Sequence, residues 1–162
     1  TARGKILPVS IYGFTGPQSL NYLLGLPPTA LYSLEIGTNS AHVVWNLDQY
    51  LRSGMVITDF QVRLNPGIAR SAPNNILITL SKVVVNFGAG PYVVPVPVTI
   101  ATVRDNETTD DHVASPAAFS ETVSRGNTSY FLTITFGNNA AANPDLLHGI
   151  QLVVNDPGPI NI

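Results

Sequence analysis

Carboxylates are the first residues here whose type and spacing suggest chemistry. Four of the ten acidic side chains, Asp105, Glu107, Asp110 and Asp111, fall within seven positions. Ca²⁺ takes roughly six to eight oxygen ligands, so a loop that crowds carboxylates is the kind of segment that binds it. These four are therefore the candidate metal ligands, and Ca²⁺ is the one cofactor the sequence suggests. Their order departs from the D-x-[DN]-x-[DN]-G calcium loop and lacks its turn-forming glycine. A solvated loop between strands is the competing reading. The three histidines, His42, His112 and His148, stand apart from one another and form no H-x-H or H-E-x-x-H pattern, the spacing that zinc sites use. There is no cysteine, hence no thiol nucleophile and no thiolate ligand. Neither a G-x-S-x-G elbow nor a phosphate-binding glycine loop occurs. No catalytic residue is assigned, and an enzyme is not expected. Two glycosylation acceptors, at Asn106 and Asn127, match the number that chance gives at this composition.

The aromatic residues suggest a different chemistry, the stacking of sugar rings. Tyr12, Tyr22, Tyr32, Tyr50, Tyr92 and Trp45 are available as platforms. Trp45, however, follows Val43 and Val44 in an apolar run and reads as core.

The elements that must position these residues are strands. A period of two recurs, with no long helical period. In 55–64, Val56, Thr58, Phe60, Val62 and Leu64 share one face, with Asp59, Gln61 and Arg63 on the other. In 128–137, Tyr130, Leu132, Ile134 and Phe136 point one way, and near 147–155 so do Ile150, Leu152 and Val154. Further strands are read at about 4–13, 30–36, 41–50, 75–87, 91–103 and 118–124, with short helical turns inside 16–25 and near 114–119. Turn signals such as Asn65-Pro66-Gly67 and Gly88-Ala89-Gly90-Pro91 separate them. The expected fold is all-β: one domain over 1–162, an antiparallel β-sandwich or eight-stranded jelly roll with extended terminal arms. Residues 1–28 form the N-terminal arm region and 155–162 the C-terminal arm. Ile160 and Ile162 are its candidate assembly contacts. Pro91, Pro95 and Pro97 share one parity and strip donors from one edge of their strand, which marks an edge guarded against strand addition.

Charge is scarce at 11% of residues and the net charge is −2, while 14 Asn, 14 Thr and 11 Ser supply neutral polarity. An average soluble domain carries about 25% charged residues. No stretch approaches the roughly 18 apolar residues of a membrane helix, and neither nucleic acid nor anionic lipid is favoured. A neutral surface of this kind reads as one committed to contacts.

With these strands, neutral turns and extended ends, the chain resembles the small single jelly-roll major capsid proteins of tailless icosahedral viruses with an internal membrane. That resemblance implies a structural coat subunit located in the virion shell. Its partners would be further copies of itself or a second coat protein, with no small-molecule substrate. Only Arg3 and Lys5 charge the N-terminal arm, so such a coat would face the viral membrane or other proteins, not nucleic acid. The alternatives are a lectin-like carbohydrate-binding sandwich and an adhesion or fibre domain, extracellular or on a cell surface.

Overall fold

In the computed structural model, residues 3–11, 13–15, 22–24, 34–36, 42–65, 76–105, 111–136 and 145–158 are described. They form twelve strands, five of them only two or three residues long, and no helix. The strands are β1 (Arg3–Val9), β2 (Phe14–Thr15), β3 (Tyr22–Leu24), β4 (Leu34–Ile36), β5 (His42–Asn46) and β6 (Val56–Asn65). The second half adds β7 (Ile76–Val84), β8 (Val98–Asp105), β9 (His112–Ala114), β10 (Glu121–Thr122), β11 (Thr128–Thr135) and β12 (Asp145–Asp156). All pairings are antiparallel, and they build two sheets, as the alternation of apolar and polar residues demands.

The larger sheet centres on β12. One edge of β12 pairs with β6, whose far edge carries β9 and β10; the other edge pairs with β1 and β4, and β3 follows β4. The smaller sheet runs β2-β5-β11-β7-β8. Between the sheets lie the large buried side chains Trp45, Phe60, Tyr130 and Phe136, packed with Leu47, Ile57, Leu64, Ile76, Ile78 and Leu80. Trp45 is 1% exposed, and its indole N–H donates to the Ile11 carbonyl at 3.1 Å, which satisfies its polar edge inside the core. Asp48, just past β5, accepts the Tyr130 N–H and the Ser129 hydroxyl, each at 2.8 Å, and pairs with Arg125 at 2.7 Å. That network ties the β5–β6 connection to the start of β11.

Two irregularities alter the expected pattern. The β6–β12 register shifts between Val153 and Val154, so Thr58 has no ladder partner there. Its extra residue reverses the side-chain phase. Met55 and Ile57 are buried on one side of Thr58, and Phe60, Val62 and Leu64 on the other, whereas Val56 and Thr58 are only half-buried. A second shift in the β6–β12 register falls between Leu147 and Gly149, at His148.

The ends also differ from free arms where they are described. β1 is zipped to β12 from Arg3↔Asp156 to Val9↔Ile150. Asp156 and Gly158 are held by Arg52, whose guanidinium bonds the Asp156 carboxylate and, at 3.0 Å, the Gly158 carbonyl. Ile160 and Ile162 lie outside the described residues. β8 is the edge strand of the smaller sheet, and it starts at Val98. Pro91, Pro95 and Pro97 therefore precede the ladder, in an extended run without strand pairing. Of the regions read as helical turns, 22–24 is strand β3 and 115–120 holds only bends.

Candidate functional site

Asp105 and Asp111, the described members of the acidic segment, face different partners. Asp105 closes β8, and its carboxylate is buried with both oxygens 2.9 Å from His112 Nε2 on β9, across the two sheets. Asp111 is gripped by Arg63 of β6, from Nε to both oxygens at 3.2 Å and from Nη2 at 2.6 Å. Hydrogen bonding from the Arg63 guanidinium, aided by its charge, holds the Asp111 carboxyl below the usual carboxylate range. Glu107 and Asp110 lie outside the described residues. Among the described residues no three His, Cys, Asp or Glu side chains converge as a metal site would require. In this structure the Asp105 carboxylate faces a histidine and the Asp111 carboxylate an arginine.

A different site is built on the outer face of the larger sheet. Opposed residues of an antiparallel ladder share a face, so register alone assembles three rows. Pro8, Gln151 and Gln61 form one; Ile6, Val153 and Asp59 the next; Gly149, Arg63 and Val113 the third. The amides are linked: Gln151 donates to Gln61, and Gln61 Nε2 donates to Asp59 at 3.2 Å. Over these rows lies a hollow of about 270 Å³, lined by Gln61, Arg63, Val113, Gly149, Ile150 and Gln151. Gly149 contributes no side chain, and a Cβ built there would meet nothing within 4 Å. The floor is open because of it.

A second hollow, of about 490 Å³, shares Gly149 and Ile150 with the first and continues past His148, Tyr50 and Pro8. The Tyr50 hydroxyl accepts the Ser10 N–H at 3.0 Å, which fixes the phenol at this rim. The two hollows adjoin at Gly149 and Ile150, the first bringing amides and a guanidinium and the second a largely apolar lining, and together they are the candidate groove. Each amide offers donor and acceptor together, and the guanidinium offers a fork of donors. Such a set suits a ligand of vicinal hydroxyls on an apolar carbon skeleton.

Sequence reasoning placed Gln61 and Arg63 on the solvent face of one strand and Gln151 on that of another, but did not join them. Ninety positions separate Gln61 from Gln151, and only the register brings them side by side. Of the proposed aromatic platforms, Trp45 is core, Tyr50 lines the groove and Tyr92 is 70% exposed. Tyr12 and Tyr32, and the side chain of Tyr22, lie outside what is described. Tyr92 belongs to a projecting connection between β7 and β8 that also displays Phe87, at 85% exposure, with Val93, Val94 and Val96.

No protein-family profile matches the chain, and no curated protein matches it in sequence. The fold does have solved counterparts. The CBM22-1 xylan-binding domain of Xyn10C from Paenibacillus barcinonensis superposes with a TM-score of 0.62 at 14% identity, over 98% of this chain and 99% of that one. The CBM22-1-CBM22-2 tandem of the same protein gives 0.61 at 14% identity over 99% of this chain, which spans 49% of the tandem. The CBM22-1-GH10 modules of Clostridium thermocellum endo-1,4-beta-D-xylanase 10B, complexed with xylohexaose, give 0.53 at 10% identity over 95% of this chain, which spans 28% of theirs. The chain has the β-sandwich fold of carbohydrate-binding modules.

This likeness corrects the coat reading. The capsid function, the virion location, the partnership with further copies or a second coat protein, and the exclusion of a small-molecule ligand all give way to it. The physical reason lies in the surface. Scarce charge with abundant Asn, Thr and Ser suits contacts with neighbouring subunits and suits a neutral polyhydroxylated ligand equally well. Strand count and guarded edges are common to both kinds of sandwich.

Proposed function

We propose that this chain is a non-catalytic carbohydrate-binding module whose outer groove takes a neutral polysaccharide of the xylan type. The observation that carries the reading is the row Pro8–Gln151–Gln61 beside Gly149–Arg63–Val113, open on a floor without a side chain. Paired amides match hydroxyls that each donate and accept, and Val113 with Tyr50 supplies apolar surface for the C–H faces of sugar rings. The fold shared with xylan-binding domains supports the choice of ligand. A binder of polysaccharide works where the polymer lies, so the role is extracellular.

Native gel electrophoresis through soluble xylan, followed by calorimetry with xylohexaose and cellohexaose, tests the reading. The chain should be retarded by xylan. Gln61→Ala and Gln151→Ala should each weaken xylohexaose binding about two- to tenfold, the worth of one net hydrogen bond. Unretarded migration of a chain whose circular dichroism shows it folded would refute the assignment.

A further inference from the structure

We propose that the Arg63–Asp111 pair is a charge gate, which makes the groove accept neutral sugar chains and turn away those bearing uronic acids. The inference rests on the carbohydrate-binding reading and adds to it the class of chain selected. Arg63 stands in the groove wall, directly opposite Val113 on the β6–β9 ladder, and Asp111 immediately precedes β9. The ladder thus brings together two residues 48 positions apart, and the guanidinium is engaged through both Nε and Nη2. His112, the next residue, is held by Asp105, so Asp111 and the residue after it are each held.

The consequence is a cation whose charge is already balanced. Of the five N–H donors of a guanidinium, those on Nε and one on Nη2 face Asp111; the rest stay open to neutral oxygens. A hydroxyl needs only such a donor. A sugar carboxylate needs net positive charge, and it would meet the carboxylates of Asp59 and Asp111 against the single guanidinium. His148 and Tyr50 are the other titratable groups along the groove.

Calorimetry with two probes decides the matter: xylohexaose, and a xylo-oligosaccharide of equal length carrying one glucuronic acid. Wild type should favour the neutral probe by about fivefold, the scale of a surface charge pair. Asp111→Asn should move the neutral-to-acidic ratio toward the acidic probe by about fivefold, and raising NaCl from roughly 20 mM to roughly 300 mM should erase that gain. Adding Arg63→Gln to Asp111→Asn should abolish it. Arg63→Gln alone should sharpen discrimination against the acid, and this variant keeps the test alive should Asp111→Asn fold poorly. An unchanged ratio in Asp111→Asn, with xylohexaose still bound, overturns the gate alone. Failure of wild type to bind either probe overturns the carbohydrate reading and the gate with it.

Discussion

Gly149 separates the demands of the fold from those of the groove, and Gly149→Val tests both. The residue sits on β12 opposite Arg63, its backbone is not in the left-handed region, and an added Cβ meets open space. Glycine inside a strand costs about 0.5–1 kcal/mol of stability relative to alanine, through the entropy of the unfolded chain, and valine suits a pleated, half-buried surface better still. The variant should therefore gain about 0.5–1 kcal/mol, which for a chain of this size raises Tm by roughly 1–4 °C. The same side chain enters the floor common to both hollows. A seated sugar would then have to shift or clash, with the cost of overpacking, about 1–3 kcal/mol, or roughly a 5- to 150-fold loss of affinity. Differential scanning calorimetry and xylohexaose titration on one preparation read the two effects. A lower Tm would refute the account of the backbone. Unchanged affinity beside a raised Tm would show that the ligand does not cross Gly149.

Two further predictions concern the frame of the site. Trp45→Ala removes the largest core side chain and leaves the Ile11 carbonyl without its donor, so urea unfolding followed by circular dichroism should show a loss of about 3–5 kcal/mol; in wild type the Trp45 emission should be blue-shifted and insensitive to xylohexaose. Asp156 accepts the Gly158 N–H and faces Arg52 and Lys5, which hold its carboxyl below the ordinary 3.8. Because the folded value lies below the unfolded one, its contribution is complete above 3.8 and fades as the pH falls below that; Asp156→Asn should flatten this acid limb in urea melts run between about pH 5 and pH 2.

The legible part of the fold is the part that periodicity can carry. Tyr130, Leu132, Ile134 and Phe136 alternate without interruption, as do Ile150, Leu152 and Val154, and all are buried. In MVITDFQVRL the pattern misleads, because Val56 and Ile57 are both apolar and nothing local announces the extra residue at Thr58. The prolines of 91–97 read as guarding the edge of their own strand, but they lie ahead of the ladder of β8, the edge strand that follows. At the acidic segment, counting carboxylates could not see that Asp111 belongs to Arg63. The groove was invisible for the same reason, since its amides come from strands with most of the chain between them. Low charge reads as a surface made for contact between subunits; composition does not say whether a neutral surface meets protein or sugar.

The place of β12 has a consequence for how the chain reaches this state. It is the central strand of the larger sheet, paired with β6, β1 and β4, and it is the last of the described strands to leave the ribosome. The smaller sheet has all its strands by the end of β11, so it can assemble while synthesis continues. The larger one cannot close until β12 emerges, and until then the inner faces of β1 and β6 await their partner. Pairing between residues so distant in sequence is slow to form, and apolar strand surface left waiting invites aggregation. Folding of the half that carries the groove is therefore set by the arrival of one strand.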